Sequence, residues 1–135
     1  KLASSIVSPG DIIPCSVTFQ VNKPTKLKEV RAILLCREES GNVDIRASER
    51  TYQNVVYERR HELQLPVKLV PANVPIHVSG EIPVPSDAAP SFTLASELGR
   101  GIRLKWVAEF RIEMKWWPDW LDREEIIVRG IRPRV

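Results

Sequence analysis

Gly101-Ile102-Arg103-Leu104-Lys105-Trp106-Val107-Ala108-Glu109-Phe110-Arg111-Ile112-Glu113-Met114-Lys115-Trp116-Trp117 repeats its chemistry every second residue. Ile102, Leu104, Trp106, Ala108, Phe110, Ile112, Met114 and Trp116 share one parity and are all apolar. Arg103, Lys105, Glu109, Arg111, Glu113 and Lys115 share the other, with Val107 among them. Successive side chains of a strand point to opposite faces, so one face is oily and the other charged. At 100° per residue the same order would scatter charge around a helix. The segment therefore reads as a half-buried antiparallel strand, long enough to expect a bend or bulge.

The same period extends outward. Ile13, Cys15, Val17, Phe19 and Val21 form a stripe. Leu27 to Glu38 is apolar on both parities in its middle (Val30, Ala32, Ile33, Leu34, Leu35, Cys36), as a central strand should be. Leu63, Leu65, Val67 and Leu69 form a third stripe, Ile76, Val78, Ile82 and Val84 a fourth, and Ile126-Ile127-Val128 the last. Turn residues separate them: Ser8-Pro9-Gly10-Asp11, Asn22-Lys23-Pro24-Thr25, Ser40-Gly41-Asn42, Pro71-Ala72-Asn73 and Pro85-Ser86-Asp87. Pro14, Pro66, Pro75 and Pro83 mark edges, strand starts or kinks. Leu94 to Leu98 is the one stretch expected to form a helical turn. The pattern predicts an all-β antiparallel sandwich of about seven or eight strands.

Size and composition agree. The chain has 135 residues, 43% hydrophobic and 27% charged, which fits one domain spanning 1–135 and excludes a disordered chain. It opens on Lys1 and not Met, so it is expected to be a domain excised from a longer protein. Residues 1–67 hold 10 basic and 8 acidic side chains and residues 68–135 hold 10 and 9, so neither half is a nucleic-acid patch. No apolar run approaches the ~18 residues that cross a bilayer, and no signal-peptide pattern opens the chain. Membrane association is expected only through a larger parent protein.

Ser8-Pro9-Gly10-Asp11-Ile12 followed by Val17, Phe19 and Val21 is similar to the start of arrestin-like domains. Leu27 to Leu35 resembles their basic-then-aliphatic third strand. In the second half, His61-Glu62-Leu63 looks like a strand opening, and Glu81-Ile82-Pro83-Val84-Pro85 leads to Ala89-Pro90-Ser91-Phe92. Gly101 to Ala108 and the terminal Asp122 and Glu125-Ile126-Ile127-Val128 follow in the family's order. Departures are a missing Gly near Pro14 or Cys15, one sandwich where arrestins have two, and no identifiable buried charged cluster. The resemblance implies an immunoglobulin-like sandwich used for protein–protein contact, as an adaptor or scaffold, as in trafficking adaptors and bacterial sporulation-control relatives. Receptor binding and phosphate sensing do not carry over.

Chemistry is sparse. His61 lies in a charged segment and His77 between Ile76 and Val78, each read as a strand residue and not a general base. The pairs Glu38-Glu39 and Glu124-Glu125 point to opposite faces if they lie in strands, so neither converges on a substrate. No nucleophile elbow, phosphate loop or dinucleotide fingerprint occurs. The chain is therefore read as no enzyme, with no cofactor. Cys15 and Cys36 lack zinc spacing, so no metal is expected. They read as buried thiols of a reducing compartment, hence a cytoplasmic location, although a bridge between them stays open.

Trp116-Trp117-Pro118-Asp119-Trp120 is the most informative local feature. Trp117 and Trp120 either cap the end of the sandwich or form a contact surface. Arg129, Arg132 and Arg134 close the chain, and Lys23, Lys26 and Lys28 flank a turn. Trp117, Trp120, Arg129 and Arg132 are the candidate partner contacts. Ser91 is expected to satisfy a nearby loop amide and Phe92 to plug the sandwich end. Arg103, Lys105, Glu109, Arg111, Glu113 and Lys115 are expected to pair across strands. The leading function is a non-enzymatic module binding a protein through an edge strand or the Trp-bearing end. Alternatives are a carbohydrate-binding sandwich that stacks sugars on Trp117 and Trp120, or a structural domain of a larger membrane-associated protein.

Overall fold

A computed structural model describes residues 1–42, 52–65, 68–95, 100–115 and 119–130. These residues hold nine strands and no helix: β1 (Ile6–Val7), β2 (Ile12–Phe19), β3 (Thr25–Asn42), β4 (Tyr52–Leu63), β5 (Leu69–Val70), β6 (Ile76–Pro83), β7 (Phe92–Ala95), β8 (Arg100–Met114) and β9 (Trp120–Val128). The large sheet runs β1-β9-β8-β3-β4, with β5 added to β3 and β7 to β8; the small sheet is β2-β6. All pairs are antiparallel except β1 with β9. The architecture is the expected all-β sandwich.

Alternation builds the core. Ile13, Cys15 and Val17 of β2 and Ile76, Val78 and Ile82 of β6 face Val30, Ala32, Leu34 and Cys36 of β3. Trp106, Ala108, Phe110 and Ile112 of β8 and Ile126 and Val128 of β9 complete it, all in one buried cluster. Phe110 is 1% exposed, so its whole ring is removed from water, worth roughly 2–3 kcal/mol in transfer free energy. Gly80 lets β6 lie against β4: a Cβ there would sit 2.3 Å from Leu63 Cδ2. The Ser8–Asp11 turn has Pro9 and then Gly10 at φ 87°, which only glycine adopts freely. The Asp11 amide donates to the Ser8 carbonyl (3.1 Å), and the Ser8 amide donates to the Asp11 carboxylate (2.9 Å).

The two sheets differ in length. β3 has 18 residues, β8 15 and β4 12, whereas β2 and β6 have 8 each. The large sheet therefore overhangs the small one. The irregularities expected in β8 lie in its neighbours: Lys28 is the extra residue of β3 against β8, and Val56 the extra residue of β4 against β3.

Four local expectations are corrected. Ser40-Gly41-Asn42 is no turn but the end of β3, paired with Ile102, Gly101 and Arg100. His61-Glu62-Leu63 closes a strand, β4, and does not open one. Leu94 and Ala95 are strand, paired with Ile102 and Gly101, and not a helical turn; 96–98 lie outside the described residues. Phe92 is 41% exposed opposite Leu104, so it plugs nothing.

Candidate functional site

The overhang forms a ledge. Where the small sheet ends, the Pro85–Ala89 segment abuts the large sheet, and the Trp106 indole N–H donates to the Ala89 carbonyl (2.8 Å). Tyr57 lies against Trp106, ring centroids 5.5 Å apart and tilted by 52°. Cys36, Val56, Tyr57, Ala88, Leu104 and Trp106 line a groove of about 180 Å³ there, with Asp87 as its charged member. Bulges re-aim side chains, and the extra residue Val56 brings two consecutive side chains, Val56 and Tyr57, to the same groove. Beyond it Ile102 (44% exposed), Leu94 (65%) and Phe92 (41%) continue the inner face, uncovered by any of the described residues. Ser91 anchors this region, though not locally: its hydroxyl accepts from the Val128 amide (3.0 Å) and its amide donates to the Val128 carbonyl (2.9 Å).

The edges differ. β4 pairs with β3 on one side, and among the described residues no strand pairs with its other side. Its first half, Tyr52-Gln53-Asn54-Val55-Val56-Tyr57, carries no charge; Glu58-Arg59-Arg60-His61-Glu62 is almost all charge. Charged edges resist strand addition, and uncharged ones invite it. Register places Arg59 opposite Leu34, on the inner face, yet it is exposed because the small sheet does not reach it. His61 stands opposite Ala32 on that face, its Nε2 buried without a hydrogen-bond partner among the described residues. Burial, then the neighbouring Arg59 charge, pull the His61 pKa down. His77 is exposed, with Nδ1 3.0 Å from the Thr18 hydroxyl.

The outer face of the large sheet holds a second apolar strip. Ile33, Leu35 and Val107 are buried there, outside the main cluster. Glu109, paired in register with Ile33, is 3% exposed. Arg111 Nη2 donates to its Oε1 and Arg123 Nε to its Oε2, both at 3.1 Å. Arg31 pairs with Glu113 and Glu29. Arginine stems carry enough hydrocarbon to shield such a strip, and the Nε atoms of Arg31 and Arg111 are themselves buried. This charged cluster around the buried Glu109 was not legible from the residues alone, although Val107 among the charged parity was a signal. The expected cross-strand pairs occur for Arg103 with Glu125, Glu109 with Arg123 and Glu113 with Arg31, whereas Arg111 pairs with Glu109 within its own strand.

Both cysteines are free and buried. Burial raises the Cys15 pKa, and burial with the nearby Glu38 carboxylate pushes Cys36 up to about 11. Both shifts favour the protonated thiol. No group of three His, Cys, Asp or Glu among the described residues could hold a metal, and no helix among them is long and apolar enough to cross a membrane.

Of the four predicted contacts, Trp117 and Arg132 lie outside the described residues. Trp120 is 42% exposed at the start of β9, opposite Ile112, and Arg129 is exposed just past its end. Nine steps of strand separate them by about 30 Å, so they belong to two surfaces. Sequence reading missed the free edge of β4 and the groove beside it.

No family model matches the sequence, and a search of curated proteins found no match. Among solved structures, the chain is similar to Spo0M, a sporulation control protein from Bacillus subtilis, with a TM-score of 0.64 at 11% identity. The fold is arrestin-like. The arrestin-like likeness covers 97% of this chain and 48% of Spo0M, so the chain spans about half the length of that protein. At this identity it is the sandwich that is shared.

Proposed function

We propose that this arrestin-like sandwich is a non-enzymatic interaction module, an adaptor or scaffold domain that binds a protein partner in the cytoplasm. The observation that carries it is the overhang: Phe92, Leu94 and Ile102 leave apolar side chains between 41% and 65% exposed on the inner face of β7 and β8. Exposed apolar surface of this kind is a mark of protein docking. Buried free thiols support the reducing compartment. The test is affinity capture with wild type and with a Leu94→Glu, Ile102→Glu variant whose fold is checked by circular dichroism. A discrete partner retained by wild type and lost by the variant is expected; identical retention by both overturns the reading.

The exposed Trp120 favours carbohydrate stacking as a second reading. A shift of tryptophan emission with a glycan, abolished in Trp120→Ala, would support it, and silence across a glycan panel removes it.

A further inference from the structure

The free edge of β4 and the groove beside it share residues, and together they specify more than a sticky surface. Strand addition needs an edge with unpaired backbone groups and pockets for alternate side chains of the added segment. Tyr52–Tyr57 supplies such an edge, uncharged and free of Pro and Gly. Val56 and Tyr57 open from it into the groove with Cys36, Leu104 and Trp106. Immediately onward, Glu58 to Glu62 places ionisable groups on both faces, which limits how far an added strand extends.

Charge then orients the occupant. Glu58 and Arg60 are ion-paired to each other on the outer face (3.5 Å). Arg59, two residues from Tyr57 on the inner face, has no carboxylate within 4.0 Å among the described residues. Its positive field reaches His61. Asp87, at the groove itself, repels a second carboxylate there.

We propose, deepening the interaction-module reading on which this rests, that the Tyr52–Tyr57 edge receives an extended protein segment as an added antiparallel strand, reading acidic–x–apolar on its inward face. The apolar side chain stands beside Tyr57 and enters the groove. The carboxylate precedes it by two residues, because the strands run in opposite directions, and meets Arg59.

The probe is a ten-residue peptide of Thr and Val with one Glu two positions before a central Ile, followed by fluorescence anisotropy against the whole chain. Four results are expected. The peptide binds; Arg59→Glu weakens it about tenfold, and a Glu→Lys peptide recovers that loss on the variant. A proline at the edge also abolishes binding. Asn54→Pro and Val55→Pro are both made, since adjacent residues direct their amides to opposite sides and proline is tolerated where the amide faces outward; the variant that keeps its fold is the one read. Binding of the peptide unchanged by Arg59→Glu, or by the folded proline variant, overturns the proposal. So does an Asn54→Pro- or Val55→Pro-sensitive dimer without peptide binding, which would make a second copy the occupant. If the peptide fails while a partner dependent on Leu94 and Ile102 is still captured, the edge proposal falls and the module reading stands. If wild type captures no partner at all, that reading falls.

Discussion

β8 and β4 flank the same strand, β3, and do opposite things with it. β8 lies under the small sheet, so its inner residues Trp106, Ala108, Phe110 and Ile112 are 3% exposed or less. β4 lies at the margin, and of its twelve residues Leu63 alone is buried among those whose exposure is described. One strand is held by packing, whereas the other is held mostly by its hydrogen-bonded ladder to β3, with Leu63 beside Gly80 and Tyr57 against Trp106. A sheet with one packed flank and one open flank is stable at its centre and available at its edge.

That contrast can be broken by substitution. Phe110→Ala should cost about 3–5 kcal/mol in urea denaturation, since a fully buried ring leaves a cavity; a loss near 1 kcal/mol would mean β8 is not the packed flank. Glu109→Ala should cost about 2 kcal/mol. Its Arg111 and Arg123 partners have side chains 35% and 48% exposed, and water offsets part of the penalty for leaving them unpaired. High salt should shrink that difference, and a neutral result would mean the outer strip contributes no stability. Arg60→Ala, on an ion pair with side chains 59% and 44% exposed, should change stability by no more than about 0.5 kcal/mol. A larger effect would show that β4 is held by its charges.

The same contrast explains what could be read in advance. β8 was legible because burial of one face forces alternation on it, and β3 because Ile33 and Leu35 join the other parity in being apolar, as burial on both faces requires. β4 was not legible, because an uncovered strand needs no oily parity: Glu58-Arg59-Arg60-His61-Glu62 satisfies a ladder as well as valines would. Leu94 read as helical turn because four residues at the overhang carry too little pattern to separate the periods; pairing with Ile102 decides it. Exposure of Trp120 follows from its place at the end of β9, which no local rule supplies.

Local chemistry by itself determined that this chain forms strands and turns, which parity is buried along β2, β3, β6 and β8, and that Pro9-Gly10 reverses the chain. Those properties are set by neighbours one to four residues apart. Tertiary structure alone decided that the large sheet outruns the small one, that β4 stands at a free edge, that Val56 and Tyr57 share a groove with Trp106, and that Glu109 is enclosed by arginines from two strands. Each of these depends on which segments meet across the sheets, and side chains distant in sequence are brought together only by that pairing.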